Sequence, residues 1–222
     1  MKIWCPYESM EDSAALCPKN KNIKLLFRHS IRFDQEGNDV QLTPEGRVIA
    51  SRFGKYIDMP IGIISSSPVQ RCIDTCKEII EGYTDNKKEI EIIPSNILKV
   101  AHIEDKIIAA ETFKKLNRDG LFEGFTAKAS MPGIYDLETS SLRIINYMFE
   151  VGNNNGSLDL FCTHDFQIAM ILLYIFGNTK IYLEKLLSNE WPLMLEGMFF
   201  WKNENDICLS WRGEIFELWK GI

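Results

Sequence analysis

The chain has 222 residues, 45% of them hydrophobic and 25% charged, with a formal net charge of -6. That length and apolar content suit one α/β domain spanning 1–222, and the acidic balance excludes the overall basic footprint of a nucleic-acid binder. No apolar run approaches the ~18 residues of a membrane span. The first residues lack a secretory pattern, and six scattered cysteines form no CxxC pair, which points to a cytoplasmic setting.

In chain order, residues 1–22 are polar, contain two Cys-Pro steps, and read as an irregular leader. IKLLFR (23–28) reads as a buried strand, followed by a loop around DQEGND. Thr43 caps a helix with Pro44 at its first position, running to about Ile57. Residues 62–66 form a second strand. Ser67-Pro68-Val69-Gln70 has the form of a capping box, opening a helix to about Glu81 with Arg71 in its first turn. A third strand over 90–93 ends at Pro94. Residues 95–135 read as an insertion or cap over one end of the sheet, with a helix over 105–117 and then a turn-rich stretch, RDGLFEGFTAKASMPG. A helix over 136–151, a strand over 158–163, a helix from His164-Asp165 to Phe176 and a further helix over 179–188 follow. The last three segments, 197–202, 206–211 and 214–219, are strands of an antiparallel end region. The β-α-β-α order predicts an open, mostly parallel sheet with helices on both faces.

Three strand ends carry reactive or cationic groups. The first strand ends in Arg28-His29, with Arg32 three residues beyond the histidine; the second leads to Arg71; the fourth runs into His164-Asp165. In an open α/β sheet the ligand crevice lies outside the carboxyl ends of the parallel strands, so these distant segments converge there. Their chemistry suits a phosphoryl group. Guanidinium forks match phosphate oxygens, an imidazole can attack phosphorus, and a carboxylic acid can protonate a leaving alkoxide. Arg71 in a first helical turn opposes the helix dipole, which itself suggests an anion nearby.

These motifs, RHSIR, LTPEGR, SSPVQRCIDT and THD in that order, resemble the histidine phosphatase superfamily, with its phosphoglycerate mutase-like fold. The superfamily's Arg-His-Gly hallmark is met by Arg28-His29-Ser30, so Ser replaces Gly. The resemblance implies that His29 is the nucleophile, that Arg28, Arg32, Arg71 and His164 hold the phosphoryl oxygens, and that Asp165 is the proton donor. It implies a phosphomonoesterase acting on a small phosphate ester through a phosphohistidine, with no metal and no cofactor. Arg32 and the His164-Asp165 pair make the site more like the acid-phosphatase branch. In the mutase-like branch the donor is a Glu after mid-chain, for which Glu104 and Glu111 are the candidates. Ser30 either stands as a tolerated replacement, contacts the phosphate or orients His29, or marks a retired site. The alternatives are a phosphomutase or phosphotransferase, or a non-catalytic or repurposed member. His102 reads as structural, Trp191 as a packing residue that also has the chemistry to stack on substrate, and Cys72 and Cys76, i,i+4 on a helix, as core residues.

Overall fold

The computed structural model describes residues 1–35, 37, 39–83, 90–152, 156–177, 191–204 and 206–220. Strands β1 (Ile23–Arg28), β2 (Ile61–Ser66), β3 (Ile92–Pro94) and β4 (Leu158–Thr163) run parallel to one another. β5 (Gly197–Asn203), β6 (Asp206–Trp211) and β7 (Glu214–Lys220) continue the sheet by antiparallel pairing. The order across this mixed sheet is β3-β2-β4-β1-β5-β6-β7, so β1 lies at the junction of its parallel and antiparallel halves. β1 and β4 are flanked by strands on both edges and covered on both faces, which is why both read as almost continuous apolar runs rather than alternating ones.

Period-two alternation divides the core. Leu25, Phe27, Leu160 and Cys162 face one hydrophobic cluster with Phe53, Cys72, Cys76 and Ile79, beneath α1 (Glu8–Ala15), α2 (Pro44–Lys55) and α3 (Gln70–Gly82). Leu26, Phe161, Met198 and Phe200 face a second cluster. It lies beneath α4 (Ile97–Val100), α5 (Lys106–Lys115), α6 (Arg118–Thr126), α7 (Leu137–Val151) and α8 (Asp165–Phe176). Leu25, Leu26 and Phe27 are fully buried, each contributing about 1.5–3 kcal/mol of transfer free energy. The close approach of α2 to α3 requires Gly54, where a methyl would run into the backbone of Ile79. Every cysteine is free and buried. No helix among the described residues is long and apolar enough to cross a membrane.

Several expectations are corrected. The segment 1–22 is not irregular throughout: α1 packs Met10, Ser13 and Ala14 into the structure, and the Ser13 carbonyl accepts from Ser210 Oγ at 3.0 Å. The turn-rich stretch after 117 contains α6, capped by Asn117 Oδ1, which accepts from the Gly120 amide at 2.9 Å. The capping box at Ser67 does not form. α3 starts at Gln70 after Val69, with no side-chain cap, because the Ser67 hydroxyl is drawn to His164. The helix over 179–188 lies outside the described residues.

Candidate active site

The carboxyl ends of β1, β2 and β4 open into one cavity of about 450 Å³. Arg28, His29, Arg32, Arg71, His164 and Asp165 all line it, so the structure brings together the whole convergent set read from the sequence.

His29 follows β1 and is almost fully buried. Its amide donates to the Thr163 carbonyl at the end of β4 (3.1 Å), and its carbonyl accepts from Leu195 (3.2 Å). The loop carrying Leu195 is itself fixed by Glu196, whose carboxylate takes a two-pronged contact from Arg212 at 2.7 and 3.0 Å. The imidazole Nδ1 lies 2.8 Å from the Ser30 carbonyl. A carbonyl can only accept, so the proton sits on Nδ1 and Nε2 keeps its lone pair. Burial, with His164, Arg71 and Arg28 nearby, holds this imidazole well below the usual histidine range, against the opposing Ser30 hydrogen bond. It is therefore neutral near pH 7.

Arg71 donates from Nε to His29 Nε2 at 3.0 Å, from Nη1 to the Gly37 carbonyl at 3.3 Å, and approaches His164 Nδ1 from Nη2 at 3.4 Å. The two imidazoles stand edge to face with centroids 5.6 Å apart. His164 Nε2 is 2.9 Å from Ser67 Oγ, and Cys72 Sγ packs behind it at 3.7 Å. Arg28 donates to the Pro192 carbonyl at 2.7 Å and pairs with Asp165 at 3.3 Å. Its Nε is buried with no partner among the described residues, a donor that a phosphate oxygen would satisfy. Arg32 turns back onto the carbonyls of Phe33 and Gln35 at the rim.

Asp165 is the first residue of α8 and accepts from the Phe166 amide at 2.9 Å. It is the one carboxylate among the described residues that line the cavity. Glu104 and Glu111 do not reach the cavity. Glu104 borders a separate depression beside Tyr135 and Arg143, and Glu111 points outward to pair with Lys114 at 2.6 Å. Where β3 leads into α4, the cavity is lined by Lys99 and Val100, neither of them an acid.

Ser30 does not line the cavity. Its amide donates to Thr75 Oγ1 at 3.0 Å and its hydroxyl donates to the Gly46 carbonyl of α2 at 2.7 Å, both away from the phosphate side. His102, read as structural, does line the cavity, held between the rings of Phe113 and Phe166 and accepting from Gln167 Nε2 at 3.2 Å. Trp191 stands against Phe122 and Arg118, as packing predicts, and is not among the lining residues. Two lining cations, Lys99 and Arg118, escaped the sequence reading. The apolar pair Leu121 and Phe125, four apart, was the signal for the helix that carries Arg118; Gly120 and Gly124 masked it.

The family model that matches the chain is that of the histidine phosphatase superfamily (branch 1), over residues 26–186. The leaning toward the acid-phosphatase branch rests on Arg32 and His164-Asp165 alone. Among curated proteins, none matches the chain. Among solved structures, YhfR of Bacillus stearothermophilus superposes with a TM-score of 0.56 at 15% identity, covering 88% of this chain and 98% of its own. Mycobacterial hydrolase 1 gives 0.51 at 16% identity, over 90% and 99% of the two chains. A phosphoserine phosphatase variant from Entamoeba histolytica, in complex with phosphoserine, gives 0.50 at 16% identity, over 90% and 96%. At these identities the likeness establishes the fold.

Proposed function

The chain belongs to the histidine phosphatase superfamily, and from that premise we propose that it is a phosphomonoesterase that works through a phosphohistidine at His29. The observation that carries this reading is the bond from His29 Nδ1 to the Ser30 carbonyl, which leaves Nε2 unprotonated inside a ring of arginines. A phosphoryl dianion is a stronger acceptor for Arg71 than a neutral imidazole, so substrate binding draws that guanidinium away and bares Nε2. Arg28 and Arg32 take further oxygens, and His164 stands beside them at the end of β4. Charge spread over the equatorial oxygens is stabilised by these donors without reorganisation of water.

In the first step the His29 Nε2–phosphorus bond forms as the phosphorus–oxygen ester bond breaks. Asp165 gives its proton to the departing oxygen. In the second, water attacks phosphorus, the nitrogen–phosphorus bond breaks, and Asp165 takes the proton that water loses. The products are the alcohol and inorganic phosphate. Among the described residues Asp165 alone brings a carboxyl group to the cavity's lining, which supports it in the acid role. The arginines supply the positive charge, so the reading calls for no metal.

The test compares the unmodified protein with His29→Ala on p-nitrophenyl phosphate, with chelator present, followed by alkaline quench after labelled ester to trap phosphohistidine. Turnover and label in the unmodified protein alone support the reading. Equal turnover by His29→Ala overturns it. No turnover and no label with a wide panel of esters makes the protein a phosphate-binding member, and formation of a phosphorylated acceptor in place of phosphate makes it a phosphotransferase.

A further inference from the structure

The cavity holds more positive charge than a phosphoryl group requires. Among the described residues its lining carries Arg28, Arg32, Arg71, Lys99 and Arg118 against the single carboxylate of Asp165, in a protein whose net charge is -6. Arg71 and Arg28 stand close to His29, with Arg32 at the rim beyond them. Lys99 and Arg118 come from a different part of the chain, α4 and α6, and line the same cavity, Arg118 beside Asp165, the proposed donor to the leaving group. Among the described residues the Lys99 ammonium makes no ion pair. Arg118 lies over the Trp191 ring, with its guanidinium 5.2 Å from the centroid, pairs with the exposed Asp119 beside it at 3.3 Å, and reaches Asp165 at 3.6 Å. Cations gathered in one concavity repel each other and focus the field on whatever enters. The same lining includes the apolar Phe113, Leu116 and Leu121 alongside the polar His102, Asn117 and Gln167.

We propose that the substrate's leaving group carries a second anionic group, a carboxylate or a further phosphate, held by Lys99 and Arg118 beside an apolar body. This rests on the phosphomonoesterase reading for its orientation. The apolar part of the lining takes the body of the leaving group, and the phosphoryl end is fixed at His29. The second anion then settles between α4 and α6. Trp191 holds the Arg118 guanidinium in place by stacking, which lessens the entropy lost when an anion is clamped. Lys99 is the more telling of the two, since its charge is not shared with Asp165.

The experiment measures kcat/KM for phenyl phosphate against 3-carboxyphenyl and 4-carboxyphenyl phosphate at low salt. It is run in the unmodified protein, Lys99→Met and Arg118→Met. Calorimetric binding of the same three esters to His29→Ala provides a second arm. At least one carboxylated ester is expected to exceed phenyl phosphate about tenfold in the unmodified protein, with the ratio falling to within about twofold of unity in Lys99→Met. The same preference should appear in the binding arm. Equal values for all three esters overturn the proposal, as does a preference that both substitutions leave intact. Loss of binding of all three esters overturns it together with the phosphomonoesterase reading. Absent turnover with a surviving, Lys99-dependent binding preference sinks the phosphomonoesterase reading while this inference stands.

Discussion

Replacing Ser30 by glycine restores the superfamily's Arg-His-Gly triplet, and the structure indicates that this change weakens the protein without disabling its chemistry. The Ser30 hydroxyl donates to the Gly46 carbonyl at 2.7 Å in a fully buried setting, tying the loop after β1 to the start of α2. A buried neutral hydrogen bond contributes about 1 kcal/mol net. The added backbone freedom of glycine in the unfolded chain costs roughly another 0.5–1 kcal/mol. Ser30→Gly should therefore lose about 1.5–2 kcal/mol, which for a domain of this size is a fall of roughly 3–8 °C in Tm. Ser30→Ala, which loses the bond but not the backbone restraint, should fall about half as far. Scanning calorimetry gives the first quantity. Parallel measurement of kcat/KM on an aryl phosphate gives the second, expected to stay within a few-fold, because Ser30 lies outside the cavity lining. An unchanged Tm with kcat reduced about a hundredfold would refute this reasoning and move the hydroxyl into the reaction.

Asp165→Asn should lower kcat by roughly 10²–10⁴ on an alkyl phosphate and by much less on p-nitrophenyl phosphate, whose leaving group scarcely needs a proton; steady-state rates on both esters check it. Gly54→Ala should cost about 1–3 kcal/mol, read as a lower urea midpoint, because the new methyl meets the Ile79 backbone. The pH dependence of stability has a defined sign. Burial holds His102 down at about 4, against the opposing hydrogen bond from Gln167, and holds His29 down in the same direction. Between the ordinary histidine value of about 6.5 and that lower value, the unfolded chain binds protons that the folded chain refuses, so stability falls as pH falls. For His102 the loss reaches about 3 kcal/mol by pH 4. Urea titrations from pH 7 to 4.5 should show a shallower decline in His102→Phe than in the unmodified protein, and parallel curves would contradict the assignment.

Local chemistry explains what was legible in the sequence. Thr43 and Pro44 announced α2, and Thr43 Oγ1 does accept from the Gly46 amide at 2.9 Å. Arg28, His29, His164 and Asp165 were readable because each adjoins an apolar strand whose end fixes its place. Ser67 misled because a serine before a proline can cap a helix or serve a distant ring, and only the tertiary structure supplies His164. Lys99 was hidden for a similar reason. It sits on a helix of four residues, too short for periodicity to reveal, and its position in the cavity depends on how α4 packs against β4. The carboxylates Glu104 and Glu111 looked plausible by position alone, and the orientation of the segments that carry them turns both away.

The placement of β1 has a consequence for how the molecule is made. Its partners β4 and β5 leave the ribosome long after it does, and Arg28 takes its bond from a carbonyl 164 positions later. At about 5–20 residues per second, the nucleophile's strand waits roughly 10–30 s before its clamp exists. During that interval an apolar ribbon with two unpaired edges is exposed, a segment for a chaperone to shield. Pairings this distant in sequence also slow folding. The reactive centre is thus among the last features to mature, and a nascent chain stalled before β4 would carry the histidine without the means to use it.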